Sequence, residues 1–165
     1  MVTGFNADEI LEMAIRIEEN GALFYRKVAG LQSDAKNREF LENLAAMEDG
    51  HRQTFAEMRN TLTEKEKKGR VFDPQGELSL YLSAMADTQG GEGSPSAVDS
   101  LTGDETLEEI LNIAIGLEKE SILFYLGLKD MVPPKYGQDK IDEVIREERK
   151  HIAQLTSVLG KIRAS

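Results

Sequence analysis

Residues 18–25 read EENGALFY and residues 118–125 read EKESILFY, while residues 48–51 read EDGH and residues 148–151 read ERKH. These segments decide the fold because they form two pairs, each offset by 100 positions. Working outward, Glu9-Ile10-Leu11 falls on Glu109-Ile110-Leu111, and Ala14-Ile15 on Ala114-Ile115, without a gap. With Glu18, Leu23-Phe24-Tyr25, Glu48 and His51 on their counterparts, that makes eleven identities between 9–51 and 109–151. The two histidines of the chain are both among them, each with a Glu three residues before it. Self-similarity at one fixed offset marks an internal duplication.

Each half reads as two helices. Apolar or small residues at 7, 11, 14, 21, 25 and 28 step by fours and threes, a helical seam that recurs at 107, 111, 114, 121, 125 and 128. Asn6 with Glu9, and Thr106 with Glu109, are matching capping boxes. This predicts helix one over 7–30 and helix three over 105–130, the latter stopped by Pro133-Pro134. Helix two follows Ser33 or Asp34 along Leu41, Leu44, Glu48, His51, Phe55, Met58 and Leu62, and ends in the basic turn EKEKKGR with Gly69 as its cap. Helix four carries Ile141, Val144, Glu148, His151, Leu155, Val158 and Ile162. The pairs span about 7–68 and 105–163, and the segment 69–104 between them holds an amphipathic stretch, Leu78 to Ala86, and a flexible loop, TQGGEGSPS. Short connections make each pair antiparallel, while the long segment can cross the bundle, roughly 35 Å for helices of this size. The expected class is all-α: a ferritin-like four-helix bundle built from two duplicated helix pairs with one long crossover.

Composition bounds the function. A chain of 165 residues with 40% hydrophobic content suits one domain, 1–165, with a real core. With no Cys, the chain has no disulfide, thiolate-bound metal, iron–sulfur cluster or thiol catalysis of its own. A net charge of −10 argues against nucleic acid and anionic membrane surfaces as partners. The start MVTGFNADEI lacks an export signal, and the longest apolar run, Ile122 to Leu126, is too short to span a bilayer. A soluble, cytoplasmic protein is the expectation.

The chemistry lies where polar residues interrupt the seams. Glu18 and Glu118 sit on the seams of helices one and three; Glu48 with His51, and Glu148 with His151, sit on those of helices two and four. Four carboxylates and two imidazoles then face the bundle interior, with no Lys or Arg on the same stripes. Uncompensated buried charge is expensive, and two divalent cations would balance four carboxylates. One Glu from each of two helices plus Glu-x-x-His from each of the others is a dinuclear carboxylate arrangement. The repeat resolves neighbours: Glu19 pairs with Lys119, Glu120 with Asn20 and Glu147 with Met47, so these three are read as surface charges. Tyr25 and Tyr125, two turns beyond Glu18 and Glu118, either orient a ligand carboxylate, relay single electrons, or are core aromatics. Phe24, Phe124, Met47 and Met58 read as packing.

The motifs EENGALFY, EKESILFY, EDGH and ERKH resemble those of the rubrerythrin-type ferritin-like diiron-carboxylate family, over the four helices. The resemblance implies two iron ions, with Mn or Zn as substitutes, on Glu18, Glu48, His51, Glu118, Glu148 and His151. It makes Glu48 and Glu148 the bridging ligands and the histidines the terminal nitrogen ligands. It further implies reduction of hydrogen peroxide, or dioxygen, in oxidative-stress defence, and a homodimer. Rubrerythrins also carry a rubredoxin domain with two Cys-x-x-Cys pairs, which this chain lacks, so the electron donor would be external, such as a rubredoxin. They carry an extra Glu one turn after the helix-three ligand, where this chain has Ser121, matched by Gly21. Two other readings follow from the same residues: a ferroxidase or iron-binding ferritin-like protein, and a metal-free helical interaction module.

Overall fold

The computed structural model describes residues 6–69, 73–88, 97–132 and 134–165. Their regular elements are α1 (Ala7–Gly30), α2 (Ala35–Thr61), α3 (Glu64–Lys68), α4 (Glu77–Thr88), α5 (Leu107–Met131), a 3-10 turn (Pro134–Tyr136) and α6 (Gln138–Ala164). The four long ones, α1, α2, α5 and α6, have 24, 27, 25 and 27 residues. They correspond to helices one to four of the duplicated pairs. No helix among the described residues is long and apolar enough to cross a membrane.

Local chemistry sets the helix starts. The Asn6 side chain accepts from the Glu9 amide at 2.9 Å, while the Glu9 carboxylate accepts from the Asn6 amide at 3.0 Å. Thr106 and Glu109 repeat the box one duplication later. Asp34 caps α2 by accepting from the Asn37 amide. Gly137 precedes α6 with φ +107, a conformation that L side chains rarely adopt.

The structure departs from the sequence expectation at the end of helix two. That helix stops at Thr61, and the basic turn forms a separate short helix, α3. Leu62 takes extended backbone and buries its side chain, and Thr63 opens a new capping box with Glu66. The T-E-K-E sequence is itself a start signal, so the chain restarts rather than continues. Gly69 is extended, with φ −72 and ψ 125, and not a left-handed cap. Helix three begins at Leu107 because Thr106 is its cap, and it ends with Val132 extended; Pro133 lies outside the described residues. The amphipathic stretch is α4, whose first turn is held by Asp73 accepting from the Ser79 amide at 2.9 Å and its hydroxyl at 2.7 Å. Most of TQGGEGSPS, residues 89–96, lies outside the described residues.

The buried apolar side chains fall into two clusters. One joins the start of α1 (Ile10, Leu11) to the ends of α2 (Phe55, Met58) and α5 (Leu128, Met131) and the start of α6 (Ile141, Val144). The other joins the end of α1 (Phe24, Val28), the starts of α2 and α5 (Leu41, Leu44, Ile110, Leu111) and the end of α6 (Leu155, Leu159). Helices α1 and α6 therefore run one way, and α2 and α5 the other. The end of α2 and the start of α5 lie at opposite ends, so the crossover traverses the length of the bundle. Leu82 of α4 packs in the first cluster, and Val98 and Leu101 pack against the second.

Crossover and bundle meet closely at Gly127, where a Cβ would lie 2.7 Å from Tyr81 Cε1 and 2.9 Å from Leu82 Cδ2. The Tyr81 hydroxyl donates to the Leu123 carbonyl beside it. Gly127→Ala is expected to destabilise the protein by about 1–3 kcal/mol through overpacking. Gly160→Ala, with open space around its Cβ, should instead stabilise it by roughly 0.5–1 kcal/mol. Urea midpoints of the two variants should move in opposite directions.

Candidate metal centre

Between the two apolar clusters lies a polar belt. Its members are Glu18 from α1, Glu48 and His51 from α2, Glu118 from α5, and Glu148 and His151 from α6. All six are at most 4% exposed. They interrupt the apolar seams near mid-helix, where the hydrophobic stripe turns inward and no backbone end is available to satisfy them. The imidazole rings stack with centroids 5.6 Å apart. His51 Nδ1 lies 3.1 Å from Glu148, 3.4 Å from Glu18 and 3.9 Å from Glu48. His151 Nδ1 lies 2.9 Å from Glu148, 3.2 Å from Glu48 and 3.4 Å from Glu118.

These contacts resolve into two overlapping sets. Glu18, Glu48, His51 and Glu148 each offer a ligand atom within 4.8 Å of one another, and so do Glu48, Glu118, Glu148 and His151. Glu48 and Glu148 are common to both. Each set is three carboxylates and one imidazole, and each draws on both halves of the chain.

The electrostatics are those of a site short of positive charge. Burial pushes the Glu18, Glu48 and Glu148 carboxyls above the usual carboxylate range, and neighbouring carboxylates push them further. Both imidazoles are pushed up to about 12. For His51, burial opposes the rise and Glu148 and Glu18 outweigh it; for His151, Glu118, Glu148 and Glu48 do so. The contacts are close but poorly aligned as hydrogen bonds. Glu18 Oε2, Glu48 Oε1, both Glu148 oxygens, His51 Nδ1 and both His151 nitrogens have no hydrogen-bond partner. A buried group of facing carboxylate and imidazole atoms left without hydrogen-bond partners is what a cation satisfies, and oxygen with imidazole ligands suits iron or manganese. The donor set fits two divalent ions.

Each tyrosine reaches across to the opposite half. The Tyr25 hydroxyl donates to Glu118 Oε1, and the Tyr125 hydroxyl donates to Glu18 Oε1. Burial, then the surrounding carboxylates, push both phenols well above their ordinary value, so they are neutral donors. Both tyrosines are also core aromatics, Tyr25 edge-on to Phe24 and Tyr125 edge-on to Phe124. Ser121 donates to the Leu117 carbonyl. Gly21, its counterpart, lies against Glu48, whose Oε2 would be 3.3 Å from a Cβ there.

One surface charge also reaches the belt. Glu147, read as a surface charge, has a carboxylate oxygen 2.6 Å from His51 Nε2. Its side chain is 42% exposed, so one face meets water while the other meets the belt. The contact joins α6 to α2, and spacing within one helix does not encode it. The repeat obscured it further, because the counterpart is Met47. Glu19 is exposed, as expected. Met58 is buried core, whereas Met47 is 36% exposed and lines a groove of about 350 Å³ between α2 and α6.

Known proteins resemble this chain in sequence and in fold. The sequence model of the Rubrerythrin family matches residues 9–88, which hold Glu18, Glu48 and His51. No curated protein sequence matches the chain. A crystal structure from Thermotoga maritima, described as a ferritin-like diiron-carboxylate protein, superposes with a TM-score of 0.70 at 25% identity, covering 94% of this chain and 95% of that one. The chain thus has an all-α ferritin-like fold with a buried Glu/His cluster at its centre, and its residues 9–88 are similar to the Rubrerythrin family.

Proposed function

We propose that the belt holds two iron ions and that the protein is a non-haem diiron oxidoreductase reducing hydrogen peroxide, or less readily dioxygen, in oxidative-stress defence. The observation that carries this reading is the pair of matched three-carboxylate, one-imidazole sets sharing Glu48 and Glu148. When bound, two Fe(II) ions supply the two electrons that cleavage of the O–O bond of peroxide requires. Glu48 and Glu148 lie between the two positions; Glu18 with His51, and Glu118 with His151, serve one position each. Tyr125 and Tyr25 hold the terminal carboxylates in place through their hydroxyls. The apolar clusters above and below keep bulk water from the site. The chain has no Cys, so the electrons that restore the reduced state come from a separate donor, such as a rubredoxin.

Anaerobic loading with Fe(II) followed by hydrogen peroxide tests the proposal. The expected result is two irons per chain, one peroxide consumed per two irons, and ferric near-ultraviolet absorption that rises faster with peroxide than with air. Accumulation of many irons per chain would favour storage by iron oxidation. A spectrum that peroxide leaves unchanged would sink the peroxidase reading.

A further inference from the structure

The duplication makes the two halves of the belt controls for each other. Both positions share Glu48 and Glu148, and each has one terminal Glu held by a tyrosine from the other half. The imidazoles differ on their outer nitrogens. His51 Nε2 meets Glu147 at 2.6 Å, whereas His151 Nε2 is buried without a hydrogen-bond partner. The counterpart of Glu147 is Met47, whose thioether is a weak acceptor.

We infer that the two metal positions are inequivalent, and that Glu147 makes the His51 position the tighter one, filled first. A carboxylate on the outer N–H of an imidazole fixes its tautomer, presenting Nδ1 as the lone-pair donor, and fixes the ring plane. It also makes Nδ1 a stronger base toward a cation. Nδ1 is the nitrogen that faces the carboxylates in both halves. Once metal displaces the Nδ1 proton, the Glu147 contact holds the remaining N–H of His51 on Nε2 and its ring plane in place, while the outer nitrogen of His151 has no such partner. Glu147 is a positioning residue acting through His51. The inference rests on the dinuclear reading above, though not on iron or on peroxide.

Titration of Mn(II) into metal-free protein, followed by calorimetry, tests it. Two-step filling of the native chain is not enough, because the first cation weakens the field felt by the second. The comparison needed is between single-position variants. His151→Ala, which keeps His51 and Glu147, should bind its one Mn(II) about 10–100-fold more tightly than His51→Ala does. Glu147→Gln should remove that advantage in the His151→Ala background and change nothing in the His51→Ala background. In the otherwise native chain it should weaken only the tighter step, and Met47→Glu should strengthen the weaker one. Equal affinity in the two single-position variants, or equal loss on Glu147→Gln in both, would overturn the inference while leaving the metal centre standing. No Mn(II) binding by the native chain would remove the metal centre and the inference together.

Discussion

Replacing Glu48 and Glu148 together by Gln is expected to abolish retention of both metals and to raise the melting temperature of the metal-free protein. The two effects have opposite signs because the same carboxylates play opposite roles with and without cations. Metal-free, Glu48 and Glu148 are 4% and 0% exposed, they face each other's charge, and burial already raises both above the carboxylate range. An ion in such surroundings carries an effective penalty of several kcal/mol, part of which protonation relieves. The neutral amide, of nearly the same shape, avoids it. A gain on the order of 2–4 kcal/mol is expected, or roughly 5–15 °C for a chain of this size. With metal present the order inverts. The native chain gains about 2.7 kcal/mol for each site at a hundredfold excess of metal over its dissociation constant, and the variant gains nothing. Calorimetric melts of both proteins with Mn(II) and with EDTA should therefore cross. A variant that melts lower than the native chain in EDTA would show that carboxylate–imidazole attraction outweighs burial.

The stability of the metal-free protein should fall as pH rises from about 5 to 9, and the stabilisation by metal should grow over the same range. Glu18, Glu48 and Glu148 have folded-state values raised above about 4.5, so above that pH the folded chain binds more protons than the unfolded one. Their contribution is whole below the unfolded value and is lost as pH climbs through the raised ones. His51 and His151, raised to about 12, act in the same direction from about 6.5 upward. Metal binding displaces protons from these ligands, so its affinity rises with pH. The difference in melting temperature between Mn(II)-loaded and EDTA-treated protein should widen at each step from pH 5 to 9. A constant difference would mean that the belt does not exchange protons for metal.

The parts of the molecule that were legible in sequence are those encoded in one helix or in its repeat. Glu18 and Glu118 stand out because a carboxylate on an apolar seam is costly, and each recurs in the other half. The capping boxes at Asn6 and Thr106 are short-range patterns, and the structure contains both. What escaped depends on contacts between distant segments or on competing local signals. Glu147 meets His51 across 96 residues of sequence, where duplication set Met47 against it. The break at Leu62 follows from a start signal at Thr63 lying inside a run that otherwise reads as a helix end. Gly127 aligns with Lys27, and its role becomes visible only when α4 is laid over it. Sequence alone does not choose between orienting, relaying and packing for the two tyrosines, because hydroxyls on helices α1 and α5 could point toward either half.

Neither helix pair contains a whole site. The first set takes Glu148 from the second pair, and the second takes Glu48 from the first. Each tyrosine likewise holds a carboxylate belonging to the other pair. If the halves drifted apart, each would keep three of the four members of its set, Glu18, Glu48 and His51 on one and Glu118, Glu148 and His151 on the other, yet neither set would be closed. Ions bound in the belt would thus act as a clasp between two half-proteins, and the crossover would be the tether that keeps them within reach when the clasp is open.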